Sequence, residues 1–175
     1  MLRMLDSDYI VGFYGCYESK EDFIILLELV EGGNLFDLLR KERRFEEVRA
    51  AHCVFDVLKG LEYLKGKGVI HRDIKLKNII FKQTKDNYKY KLCDFGLSDL
   101  KENIIDKSPE TGTPGYIAPE IFLFKIHING DIFSVGIILF YLLMGYIPYN
   151  KKSKYLSSLL MKNKEATIIF KECWS

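Results

Sequence analysis

The stretch Val69-Ile70-His71-Arg72-Asp73-Ile74-Lys75-Leu76-Lys77-Asn78 decides how the chain is read. An acid (Asp73), a cation (Lys75) and an amide (Asn78) sit between apolar flanks. They therefore share one short loop whose ends are held in a core. Phosphoryl transfer asks for such a set: a group that orients a hydroxyl, a positive charge near the moving phosphate, and an oxygen ligand for Mg²⁺.

On the N-terminal side of the loop, Val48, Ala51, Phe55, Leu58, Leu61 and Leu64 recur at helical spacing. They predict a helix from about Glu46 to Lys65, with that stripe as its core face and Gly66 and Gly68 as its end. His52 is read as an ordinary helix residue. Glu31-Gly32-Gly33-Asn34 is a turn signal, followed by a short helix from Leu35 to Arg40. Tyr9 to Tyr17 and Phe23 to Val30 are rich in Val, Ile, Phe and Tyr, and they flank a polar connection. That predicts an antiparallel strand pair. Met1 to Leu5 reads as the last turn of a helix.

On the C-terminal side, Ile79 to Phe81 and Tyr88 to Leu92 predict a hairpin around Lys85-Asp86-Asn87. Leu97 to Glu110 is polar and without period, hence a loop. An apolar helix runs from Asp131, read as its cap, to near Gly145. Ser153 to Lys162 reads as a further amphipathic helix. Ile132 to Tyr149 is apolar enough to be weighed as a membrane span. Its glycines, Pro148 and the lack of paired basic anchors favour a buried core helix.

The 175 residues suffice for one domain with a real core. A net charge of +2 argues against a nucleic-acid-binding basic face. Cys16, Cys53, Cys93 and Cys173 have neither metal-knuckle nor redox spacing, so a reduced cytoplasmic setting is the default expectation. The N-terminus lacks the apolar run of a signal peptide.

Three motifs stand in order: His71-Arg72-Asp73 through Asn78, Asp94-Phe95-Gly96, and Ala118-Pro119-Glu120. With them the chain resembles the eukaryotic protein kinase catalytic domain, Ser/Thr type. Residues 28–36 and 112–120 are similar in style to the calcium/calmodulin-dependent kinase group. The resemblance implies an α+β, protein-kinase-like fold. Residues 1–30 would be a two-strand N-lobe remnant and the start of the hinge, and residues 31–175 the hinge and most of a helical C-lobe. It further implies ATP and Mg²⁺ as cofactors, protein substrates bearing Ser or Thr, and an upstream kinase as a partner. It implies neither nucleic acid nor membrane.

Carried over position by position, the resemblance makes Asp73 the acceptor of the substrate hydroxyl proton and Lys75 the contact to the transferring phosphate. Asn78 and Asp94 become the Mg²⁺ ligands, and Gly96 lets the chain turn after Asp94. Leu27 becomes the gatekeeper, while Glu28 and Val30 offer backbone groups to adenine. Asn34 lies near the ribose and Ile80 beneath the ring. Asp131 anchors the backbone of the loop. Leu2, Phe13, Phe95 and His71 stack as a spine. Thr113 bonds toward Asp73 and Lys75, and Lys75 together with Gly112-Thr113-Pro114-Gly115-Tyr116 before Ala-Pro-Glu marks Ser/Thr substrates. Arg72 is the docking point for an activation-loop phosphate, and Ser108 the regulatory candidate. Glu120 closes the Ala-Pro-Glu motif. The acids that commonly receive a substrate Arg appear as Asn34, Lys77 and Tyr141, so little preference for Arg is expected. The Gly-rich loop, the phosphate-holding Lys and its Glu partner fall upstream of the match, and the closing helices fall downstream. The expectation is thus a kinase fragment truncated at both ends. The alternative is a weakly active or inactive kinase-derived fragment, or pseudokinase, acting as a binding module.

Overall fold

The computed structural model describes residues 1–85, 87–106, 112–123 and 129–148. Strands β1 (Phe13–Glu18) and β2 (Phe23–Leu27) pair antiparallel, with Phe13 opposite Leu27 and Glu18 opposite Phe23. The hydroxyl of Ser19 accepts the amide of Asp22 (2.8 Å) and fixes the turn between them. Both strands are shorter than their apolar composition predicts. Residues 9–11 leave this sheet because they bond elsewhere: the Val11 amide donates to Leu92 O and the Leu92 amide to Tyr9 O, both at 2.9 Å. Met1 to Leu5 contains a 3-10 turn, Leu2–Met4.

Helix α1 (Leu35–Glu42) starts at Asn34, whose side-chain oxygen accepts the Asp37 amide at 2.9 Å. This capping bond satisfies one of the donors that every helix start leaves open. Helix α2 (Glu47–Gly66) follows. Its buried face is Ala50, Cys53, Asp56, Val57, Gly60, Leu61 and Leu64. Of the predicted stripe only Leu61 and Leu64 are buried, since Val48 is 83% exposed and Ala51, Phe55 and Leu58 also face outward. The reason is close packing. At Gly60 a Cβ would lie 2.9 Å from Leu92 Cδ1 and 3.2 Å from Tyr9 O. The face that touches its neighbours includes the small residues Ala50, Cys53 and Gly60, which an apolar periodicity does not count.

Strand β3 (Val69–Ile70) pairs antiparallel with β6 (Asp99–Leu100); between them in sequence lies the hairpin of β4 (Ile79–Gln83) and β5 (Tyr88–Leu92). β6 and the 3-10 helix Lys101–Asp106 correct the reading of Leu97 to Glu110 as plain loop, as far as residue 106. Two ladder pairs are too short to show as a periodicity. His52 also does more than occupy a helix, for its Nδ1 lies 3.0 Å from Asn87 Oδ1 at the tip of this hairpin.

Helix α3 (Gly130–Met144) has Asn129, not Asp131, at its N-cap position, with no side-chain capping bond there, and it ends at Gly145 in the left-handed region (φ 75°). Its interior is mostly buried, with Ile138 and Leu142 fully so. No described helix is long and apolar enough to cross a membrane. One continuous core gathers α2, α3, β4 and β5, and Leu76 and Ile79 flank the loop inside it. The helix expected over Ser153 to Lys162 lies outside the described residues.

Candidate active site

The loop after β3 is held from sixty residues away. The carboxylate of Asp131 accepts the amide of His71 through Oδ2 (2.9 Å) and that of Arg72 through Oδ1 (3.0 Å). Asp131 cannot cap its own helix because its side chain is spent here. Burial pushes this carboxyl above its ordinary range, against the pull of His71 and the two amides. Burial likewise holds His71 below its usual range, so the ring is neutral. One tautomer satisfies both ring nitrogens: Nε2–H donates to Cys93 O (3.2 Å) while Nδ1 accepts the Asp73 amide (3.3 Å). The same ring packs on Phe95, with centroids 4.8 Å apart. Arg72 takes a left-handed backbone (φ 68°), a conformation that costs a non-glycine residue about 1 kcal/mol or more.

Asp73 is buried, at 7% exposure, and densely bonded. Lys75 Nζ donates to its Oδ2 at 2.6 Å and to Thr113 Oγ1 at 3.0 Å. The Thr113 hydroxyl donates to Asp73 Oδ1 at 2.6 Å. The amide of Asn78 donates to Asp73 O (2.9 Å) and Oδ2 (3.0 Å). Burial alone would raise the carboxyl of Asp73. The bonds from Lys75 and Thr113, the Lys75 charge and the bond from Asn78 outweigh it and hold the group below the usual carboxylate range. Asp73 is thus an anion placed to accept a proton or orient a hydroxyl.

Because both acceptors facing Asn78 belong to Asp73, its NH₂ must point there. Its Oδ1 is left as an acceptor with no donor among the described residues. Asp94, also left-handed (φ 60°), uses Oδ1 to accept the Gly96 amide at 3.2 Å. The turn is therefore made by Asp94 itself and not by a left-handed Gly96. The missing Cβ of Gly96 instead leaves room for Asp94 Oδ1, which would stand 3.2 Å from it. An amide oxygen and a carboxylate are hard donors that suit Mg²⁺, an ion that takes one or two protein ligands and completes its shell with phosphates and water. Among the described residues no group of three or more His, Cys, Asp or Glu is arranged to hold a metal ion by itself.

Asp94, Phe95 and Gly96 line a cleft of about 740 Å³ together with Leu2, Phe13, Ile25 and Leu27. The Glu28 amide is spent on Gly12 O (2.8 Å), and Leu29 is 84% exposed. Val30 and Ile80 are half-buried. Ile80 bridges Asn34 across to α1 and stands opposite Lys91 in the β4–β5 ladder. The Asn34 side chain also donates to Asp37 Oδ2 (2.8 Å), so it is engaged in capping. The turn between β2 and α1 is laced to β4 by Gly32 N to Phe81 O (2.9 Å) and Phe81 N to Gly33 O (3.1 Å). At Gly32 a Cβ would fall 2.2 Å from Phe81 O, so no other residue fits that approach. Glu120 is half-buried in the 3-10 turn Pro119–Leu123. Ser108 lies outside the described residues.

Two contacts at the site escape sequence reading. The Glu28 side chain accepts Lys91 Nζ (2.6 Å) and the Gly12 amide (3.0 Å), tying residue 28 to the strand that leads into Asp94. Ser134 on α3 donates to Tyr116 O (2.7 Å) and holds the segment that carries Thr113. Lys91 stands between Tyr90 and Leu92 in the buried end of its strand, where a cation needs a partner.

Comparison with known proteins identifies the family. The model of the protein kinase domain matches residues 1–173. A calcium/calmodulin-dependent protein kinase type 1 from Macrobrachium nipponense is 34% identical over 94% of this chain and 48% of its own length. A calcium-dependent protein kinase 5 from Plasmodium berghei is 34% identical over 97% of this chain and 30% of its own length. A death-associated protein kinase related protein from Drosophila melanogaster is 36% identical over 85% of this chain and 22% of its own length. The chain spans about half or less of the length of these relatives.

Proposed function

The chain belongs to the protein kinase domain family, and from that premise we propose that it carries the catalytic portion of a Ser/Thr protein kinase, transferring the γ-phosphate of ATP to protein hydroxyls. The observation that carries this reading is the bonded set Asp73–Lys75–Thr113–Asn78. It puts an anion, a cation and an amide oxygen on one buried loop.

In this reading Asp73 orients the acceptor hydroxyl and takes its proton. Lys75 already bridges Asp73 and Thr113, so its charge stands beside the place where phosphate charge develops. Thr113 tethers the polypeptide that receives the substrate to the base. Asn78 Oδ1 and Asp94 are the residues that would hold Mg²⁺, which when bound neutralises charge on the phosphates. Leu27, Val30 and Ile80 supply the apolar and backbone surface for adenine. Arg72, half-buried, is the residue that would receive an activation-loop phosphate, and Asp131 acts through the backbone it positions.

The test is incorporation of labelled phosphate from ATP into a generic Ser/Thr protein substrate by the purified chain, with Asp73→Asn as control. Transfer that falls by about a thousandfold or more in the variant supports the reading. Nucleotide binding with no turnover in either protein overturns it in favour of the binding-module reading.

A further inference from the structure

Between His71 and Ile80 a single residue, Lys77, is exposed. Ile74 and Leu76, within the loop on either side of Lys75, are in the core, at 1% and 0% exposure, and Asn78 is buried too. Lys75 is half-buried and already paired with Asp73 at 2.6 Å. The Lys77 ammonium has no acidic partner among the described residues. It rests 5.3 Å from the centroid of the Phe36 ring, on the first turn of α1. Arg40, one helical turn beyond Phe36 and on the same face, is exposed and likewise has no acidic partner among the described residues. Asp37, the acid of that turn, is held by Asn34. Glu31 in the preceding turn is the opposing free charge.

This distribution constrains what can lie on the loop. A polypeptide whose hydroxyl reaches Asp73 must run along the loop's solvent face, because the other face is core. What that face presents is an unneutralised ammonium, backed by an aromatic ring and followed by a guanidinium on the α1 wall. We propose that Lys77 is a specificity-determining residue that selects acceptor segments carrying Asp or Glu beside the target Ser or Thr. This rests on the kinase reading above and goes beyond it, in that it assigns the substrate an acidic character. The ring of Phe36 holds the ammonium in place without cancelling its charge, which keeps it available to a carboxylate.

The experiment has two arms, both on the full 175-residue chain. In the first, a positional-scanning Ser/Thr peptide library is phosphorylated with Mg²⁺–ATP. Asp and Glu should be favoured over Ala at one or more positions flanking the acceptor, by about threefold, as a partly exposed ion pair allows. Lys77→Ala should flatten that preference and Lys77→Glu should turn it toward Lys and Arg. In the second arm, fluorescence anisotropy without ATP compares a labelled acidic Ser peptide with its Lys-substituted counterpart. The acidic peptide should bind more tightly, and the advantage should shrink as salt rises from 50 to 500 mM. Arg selection in the library, or equal or no binding of the two peptides by the unmutated chain, overturns the proposal even if both variants fail to fold. A silent library with acid-selective binding that Lys77→Ala removes would refute the catalytic reading and leave the acidic-segment surface standing.

Discussion

Asp73 is a carboxylate with little spare acceptor capacity, since Thr113 occupies Oδ1 and Lys75 and Asn78 share Oδ2. Its charge is therefore a property of its partners, and removing one should be visible in pH dependence. Thr113→Val deletes the hydroxyl that donates to Oδ1 while keeping the shape, so the Asp73 carboxyl should rise toward the ordinary carboxylate range. The acid limb of the pH–rate profile should then move to higher pH, with the alkaline limb unmoved. The same shift has a stability side. A carboxyl held low when folded stabilises the fold above the unfolded carboxylate range, and that contribution is lost as pH falls through the folded value. Thr113→Val should accordingly lose its stability deficit in strong acid, a difference read by urea unfolding at pH 7 and pH 3. Glu28 is held low in the same sense: burial opposes its charge, but Lys91 and the Gly12 amide prevail. Glu28→Gln leaves Lys91, which is 9% exposed, without its counter-charge, and should cost about 3 kcal/mol in urea unfolding at pH 7.

Helix α2 shows which level of structure a sequence displays and which it hides. Its span of Glu47–Gly66 follows from helical spacing and terminal glycines, within a residue of the expected Glu46 to Lys65. Its buried face followed only at Leu61 and Leu64, because Gly60 serves a close approach to Leu92 and Tyr9 and Asp56 accepts the Tyr90 amide (3.0 Å). Gly60→Ala measures that closeness. Helix propensity favours Ala by about 1 kcal/mol, yet the added carbon meets Leu92 and Tyr9 O. Overpacking should win, for a net loss of about 1 kcal/mol in urea unfolding. At the site the same division holds. Asp73, Lys75 and Asn78 are legible because one loop carries them in fixed spacing. The hold of Asp131 on that loop is not a matter of spacing, and local pattern alone assigned Asp131 to a cap position that Asn129 occupies without a side-chain bond. The β3–β6 pairing and the Ser134–Tyr116 bond join residues far apart in sequence, which a window of a few residues cannot contain.

Across the whole molecule, apolar surface is unevenly covered. All of β2 is exposed, from Phe23 at 64% to Leu27 at 40%, and Tyr14 and Tyr17 on β1 add to it. Two strands cannot bury such a face by themselves, and an open apolar edge invites pairing with other chains. Phe23, Ile25 and Leu27 line the cleft, so Ile24 and Leu26 are the positions to change without touching it. The double variant Ile24→Lys/Leu26→Lys should raise the soluble fraction and suppress thioflavin T signal on incubation. Its melting temperature should stay close to that of the unmodified chain, since exposed positions carry little stability. The bonds from Asp131 to His71 and Arg72 matter at this scale too, because they span sixty and fifty-nine residues. Closing a loop of that length has to be compensated by contacts that form with it. On a translating ribosome the amides of His71 and Arg72 find their acceptor only after Asp131 has emerged from the exit tunnel. The segment bearing Asp73 is thus made early and set late, so a nascent chain stopped short of residue 131 can hold its helices before it holds its chemistry.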